Sequence, residues 1–212
     1  MFRTNYNNEL KKLRDELLNL GNLVSKVLED SINALITRDK EKSQFIYHND
    51  DVIDKQFHLL EHMCWSIILK QQPVAGDLRF VTNALKMITD LERIGDQAAD
   101  IAGIASQMCE KEYPAESRLI EKMAKETTVM ILEAVEAFRT NDIAKATAVI
   151  ARDDFVDDVF NDVKVSVAHT ISSETTGAMQ EVNMVLVAKY FERIGDHTVN
   201  VAEAVVAMGS MK

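Results

Sequence analysis

Apolar residues recur along the chain at spacings of three and four. Leu10, Leu13, Leu17, Leu20, Val24, Leu28, Ile32 and Leu35 form one unbroken stripe with charges between them, which predicts an amphipathic helix from about Asn5 to Ile36. Gly21 inside it weakens the helix by about 1 kcal/mol relative to Ala, so it marks a close contact. Thr37 and Asp39 supply cap chemistry for a second helix to about Gln72, where Pro73 stops it. The segment from Pro73 to Leu78 reads as a turn, with Asp77 as the N-cap of a third helix to about Lys111. Pro114 then divides the chain. Beyond it the pattern predicts a helix from Ser117 to Phe138, another capped by Asn141 or Asp142 and ending near Ile171, a turn at Ser172 and Ser173, and a last helix to about Met208. Six long helices with short links give an all-α fold of antiparallel three-helix bundles.

Self-similarity sharpens this. Leu91-Glu92-Arg93-Ile94-Gly95-Asp96 returns as Phe191-Glu192-Arg193-Ile194-Gly195-Asp196, 100 positions on. Upstream the offset is 103: Thr37-Arg38-Asp39 lies against Thr140-Asn141-Asp142, and Asp50-Asp51-Val52-Ile53-Asp54 against Asp153-Asp154-Phe155-Val156-Asp157. The expected architecture is a duplicated three-helix unit with a pseudo-two-fold internal repeat, residues 1–112 and 113–212.

Composition removes the competing classes. Seven Gly and two Pro in 212 residues cannot punctuate an all-β domain. Against 24 basic residues stand 34 acidic ones, a net charge of −10, which argues against nucleic acid and against a basic membrane-surface helix. The opening MFRTNYNNELKK has no apolar core of a signal peptide, and no apolar run approaches the roughly 18 residues of a membrane span. A cytoplasmic protein is expected, with Cys64 and Cys109 as buried thiols.

The acidic residues carry the candidate chemistry. Asp50 with Asp54, and Glu92 with Asp96, stand four apart in the first half, the latter pair extended by Asp100. Asp153 with Asp157, and Glu192 with Asp196, repeat the pattern, and Asn200 stands where Asp100 would fall. Residues at i and i+4 share a helix face, where like charges repel. A hard cation bridging them reverses that sign. One such pair means little, since about five are expected by chance in a chain this acidic. The repeated five-residue motif is rarer, on the order of once per hundred such chains, and supports duplication before it supports a site. The pairs admit two readings, a metal or ion site, or a solvated face balanced by Arg93 and Lys86. Gly95 and Gly195 read as tight helix crossings, and Arg93 and Arg193 as salt-bridge partners of the acidic groups.

No enzyme signature is found: the chain has no ExxH, HExxH, P-loop or GxSxG. His58 and His62 stand four apart, but their repeat counterparts are Asn161 and Val165. Met63, Met87, Met123 and Met130 fall at core spacings.

With Leu20-Gly21 in the first helix, Gln72-Pro73-Val74-Ala75-Gly76-Asp77-Leu78-Arg79 at the second turn and the duplicated Glu-Arg-Ile-Gly-Asp, the chain resembles the PhoU family over essentially its whole length. It departs in lacking the Pro-Val-Ala-Gly-Asp-Leu-Arg segment from the second half. The resemblance implies a two-fold pseudosymmetric six-helix protein whose acidic pairs bind metal ions, iron, manganese or magnesium. The implied ligands are Asp50, Asp54, Glu92, Asp96, Asp153, Asp157, Glu192 and Asp196, with Asp100 as a further candidate. It also implies a non-enzymatic negative regulator of phosphate uptake and of the phosphate-starvation response. Its implied partners are the ATPase subunit of the high-affinity phosphate ABC transporter and a sensor histidine kinase. A homodimer is expected from the frequency of two-fold assemblies. The alternatives are an accessory protein of another phosphate permease, or a carboxylate-bridged metalloenzyme.

Overall fold

The computed structural model describes residues 2–49, 51–108, 117–173 and 178–209. The helices are α1 (Phe2–Thr37), α2 (Lys40–His48), α3 (Asp51–Gln71), α4 (Ala75–Met108), α5 (Ser117–Thr140), α6 (Ile143–Ser173) and α7 (Ala178–Gly209). The expected second helix is therefore two. The chain breaks at Asn49, whose backbone leaves the helical region while its side-chain amide donates to the Phe45 carbonyl at 2.8 Å. The matching helix of the other half, α6, runs unbroken. The expected turn at Ser172 and Ser173 is still helix, because α6 extends to Ser173. Cys109, Lys111 and Pro114 lie outside the described residues.

The repeat is visible in the backbone. After α1, Arg38 takes φ 57°, and after α5, Asn141 takes φ 55°. The Asp39 and Asp142 amides donate back to Ala34 and Ala137 at 3.0 and 2.9 Å, closing each helix with a left-handed residue. The same aspartates then cap the next helices. Asp39 Oδ1 accepts from the Lys42 amide at 2.9 Å and Asp142 Oδ1 from the Lys145 amide at 3.0 Å. The second cap is thus Asp142, with Asn141 as the turn residue. Asp77 is not a cap. It sits in the first turn of α4 and its Oδ2 accepts from the Tyr6 hydroxyl at 2.9 Å. Replacing Asp39 by Ala orphans one amide and is expected to cost about 1 kcal/mol, read as a Tm about 2–4 °C lower by thermal melting.

The two halves pack side by side. Helix α4 is flanked by α1, α2 and α3, α7 by α5 and α6, and the halves join where α4 meets α7 and α1 meets α5. One apolar core runs through both, from Leu13, Leu17 and Leu20 to Phe191, Ile194 and Val201. Met87, Met123 and Met130 are buried in it, and Cys64 is a buried free thiol. Gly21 is a close contact: a Cβ there would lie 2.8 Å from Val135 Cγ2, where α1 crosses α5. Among the described residues no helix is long and apolar enough to cross a membrane.

Candidate metal centre

Helix α4 carries Glu92 and Asp96 one turn apart, and Gly95 between them lets α3 come close. A Cβ on Gly95 would fall 2.6 Å from Ile53 Cδ1. That approach delivers Asp54, the residue after Ile53, to the same place. One carboxylate oxygen each from Asp54, Glu92 and Asp96 lies within 4.8 Å of the others. Arg93 is the cation beside them, its Nε 3.4 Å from Glu92 Oε2 and its Nη1 3.2 Å from Asp96 Oδ2. Burial first, and then the charge of Asp96, push the Glu92 carboxyl up, while Arg93 offsets part of it. Among the described residues this trio alone gathers three ligand atoms so closely. Asp50 lies outside the described residues.

The second half builds a related but different arrangement. Here the space left by Gly195 is taken by a carboxylate, since a Cβ would lie 2.5 Å from Asp153 Oδ1. That oxygen is buried and has no hydrogen-bond partner. Burial, then the charges of Asp157, Asp196, Glu192 and Asp154, push Asp153 up to about 6. Asp196 is raised by burial, Glu192 and Asp157 in turn. Lys189 pairs with Glu192. Asp54, Glu92 and Asp96 thus lie together on α3 and α4, and Asp153, Asp157, Glu192 and Asp196 act on one another electrostatically on α6 and α7.

Asp100 stands elsewhere, at the seam between the halves. It is hydrogen-bonded to the Tyr190 hydroxyl, which burial and the Asp100 charge push up. By the repeat, Asp100 answers to Asn200 and Tyr190 to Asp90, and those two also pair: Asn200 Nδ2 donates to Asp90 Oδ1 at 3.0 Å. Sequence reasoning missed the group that joins them. His197 Nδ1 lies 2.9 Å from Asp90 Oδ1, so a carboxylate that only accepts fixes the proton on that nitrogen. When protonated, His197 lowers both Glu92 and Asp196, so it stands within reach of both acidic groups. Its repeat counterpart is Gln97, so the duplication carried no signal for it. His58 and His62 are exposed on α3, His58 beside Glu61.

The donor set fits a hard cation. In the Asp54, Glu92 and Asp96 trio it is all carboxylate oxygen, and the second half has one buried carboxylate oxygen without a donor, Asp153 Oδ1. In metal-free protein Asp153→Asn is expected to be stabilising. An acid with a raised folded pKa holds its proton more tightly folded than unfolded, so the wild type loses stability as pH rises from the ordinary carboxylate range through about 6. Allowing for the partial exposure of Asp153, the amide should gain about 1 kcal/mol above neutral pH and nothing below about pH 3, measured by denaturant melts in chelating buffer.

The PhoU domain profile matches the chain twice, at residues 17–105 and 120–205. The chain belongs to the PhoU family. Asp54, Glu92 and Asp96 fall in the first PhoU match and Asp153, Asp157, Glu192 and Asp196 in the second. It is 32% identical over 207 residues to the phosphate-specific transport system accessory protein PhoU homolog of Clostridium acetobutylicum, covering 97% of this chain and 94% of that one. It is 33% identical over 202 residues to the Pseudomonas aeruginosa homolog of the same description, covering 95% and 84%. Among solved structures, PhoU from Pseudomonas aeruginosa superposes with a TM-score of 0.93 at 32% identity, over 96% of this chain and 98% of that one. The phosphate transport system regulatory protein PhoU from Streptococcus pneumoniae gives 0.88 at 25% identity, over 96% of each.

Proposed function

We propose that this chain regulates phosphate transport as a metal-dependent adaptor. In this reading it represses phosphate uptake and the phosphate-starvation response by linking the ATPase subunit of a phosphate ABC transporter to a sensor histidine kinase in the cytoplasm. Membership in a family of phosphate-transport accessory proteins supports the transport role. The observation that carries the metal is the convergence of Asp54, Glu92 and Asp96 from two helices. Asp50, Asp153, Asp157, Glu192 and Asp196 complete the proposed ligand set across two repeats divided near residue 112, and Asp100 serves the seam. A bound iron, manganese or magnesium ion would supply fixed positive charge on an acidic protein. It would tie α3 to α4 and α6 to α7, shaping the face a partner meets. Two copies of the chain would present that face twice.

The test is a pull-down of the tagged protein from phosphate-replete cells, with and without chelator, beside a variant with Glu92, Asp96, Glu192 and Asp196 all replaced by Ala. Recovery of the transporter ATPase or a sensor kinase that is lost on chelation and in the variant supports the reading. If the variant binds no metal yet keeps partner binding and repression, the metal plays no part in the adaptor.

A further inference from the structure

Where the two halves meet away from the carboxylates, one arginine is held in an unusual way. Arg14 of α1 places its guanidinium carbon 5.0 Å from the ring centre of Phe80 and 4.9 Å from that of Phe138, and the two rings are nearly parallel. Its Nη1 donates to the Phe138 carbonyl at 3.2 Å. Burial lowers its proton affinity, and the charge of Asp15 offsets part of that. A guanidinium has five N–H donors, and among the described residues the bond to Phe138 is the one hydrogen bond that Arg14 makes.

The arginine lines a cavity of about 350 Å³ together with Lys11, Asp77 and Asn141, walled by Phe80 and Met208. The donors come from two elements. Lys11 stands one turn before Arg14 on α1, and Asn141 lies in the link between α5 and α6. A fork and a point charge from one helix, with an amide from the facing link, suit the several oxygens of a tetrahedral anion better than the two of a carboxylate. Nor does the fold require the arrangement. The repeat positions answering to Arg14 and Phe138 are Ser117 and Leu35, which line a separate cavity of about 230 Å³. The aromatic-held arginine is an elaboration of one copy.

Asp77 adds selectivity. One of its oxygens accepts from Tyr6, and the carboxylate repels an anion with no proton of its own. A protonated phosphate, however, can donate its P–O–H to that carboxylate. We propose that the Arg14 cavity binds free inorganic phosphate, with Arg14, Lys11 and Asn141 as donors and Asp77 as the acceptor that rejects sulfate. This site is independent of the carboxylate clusters, and its failure would leave the adaptor reading untouched.

The test is calorimetric titration of the full chain with inorganic phosphate, and separately with sulfate, in chelating buffer at fixed ionic strength. Chelation removes phosphate carried by a bound cation. Wild type should bind one phosphate per chain, at least ten-fold more tightly than sulfate. Arg14→Lys should weaken phosphate ten-fold or more, and the exposed Lys11→Gln about three-fold with an unchanged melting temperature. Asp77→Asn should bring the two anions within about three-fold of each other. Absence of saturable phosphate binding overturns the proposal. So does binding that Lys11→Gln and Asp77→Asn leave as it is in the wild type, a result readable even if Arg14→Lys does not fold.

Discussion

Replacing Phe191 by Ala is expected to cost about 3–5 kcal/mol, a large share of the stability of a domain this size. Phe191 is fully buried and is among the largest side chains so placed. It occupies α7, which packs against α4, α5 and α6, so the cavity opens where both halves meet. The repeat supplies the comparison: its counterpart Leu91 is also buried, so Phe191→Leu should cost well under half as much. Denaturant unfolding checks this, with a lowered midpoint and an unchanged slope in both variants. Glu192 follows Phe191 in α7, yet the Ala variant should still respond to metal, since its side chain faces the core and the carboxylates do not.

The same burial pattern explains what was legible in the sequence. Apolar spacing and cap residues located the long helices because each buries one continuous face; Asp39 caps as expected, and of the candidates Asn141 and Asp142 the cap is Asp142. The break at Asn49 was not legible because the pattern keeps its phase through it. Ser43 and Ile53 are buried on either side, as Ala146 and Val156 are on the unbroken α6. Asp77 looked like a cap because Pro73 to Leu78 reads as a turn, but α4 already begins at Ala75 and the carboxylate answers to Tyr6, 71 positions away. The i,i+4 spacing found the acidic pairs on each helix. That Asp54 meets Glu92 and Asp96 depends on how closely Gly95 lets α3 approach, which spacing alone does not encode.

Divergence between the copies is as informative as their likeness. Asp90 and Tyr190, His197 and Gln97, and Arg14 and Ser117 are equivalent positions with different chemistry. Gly95 and Gly195 did not diverge, because at either one a Cβ would collide with the facing helix, with Ile53 in one half and Asp153 in the other. The preserved glycines set how closely the helices approach in each half, and the altered positions give the two halves different side-chain chemistry.

Metal removal is expected to have the other large effect, and its sign decides between the two readings of the acidic pairs. A cation bound only by folded protein stabilises it by about 4 kcal/mol at a thousand-fold excess over its Kd, which is about 8–16 °C in Tm. Chelation should remove all of that, as measured by thermal melts with manganese or magnesium restored afterwards. The variants Asp54→Asn, Glu92→Gln and Asp96→Asn keep side-chain shape but remove charge. In chelator each should be as stable as the wild type or more so, because Glu92 is held up by burial and the charge of Asp96 and gains from neutralisation. With metal present each should be less stable than the wild type, because a ligand is gone. The two melting orders therefore cross. A solvated face balanced by Arg93 gives no crossing: neutralisation only weakens the pairs at 3.4 and 3.2 Å, by less than about 1 kcal/mol, and metal changes nothing.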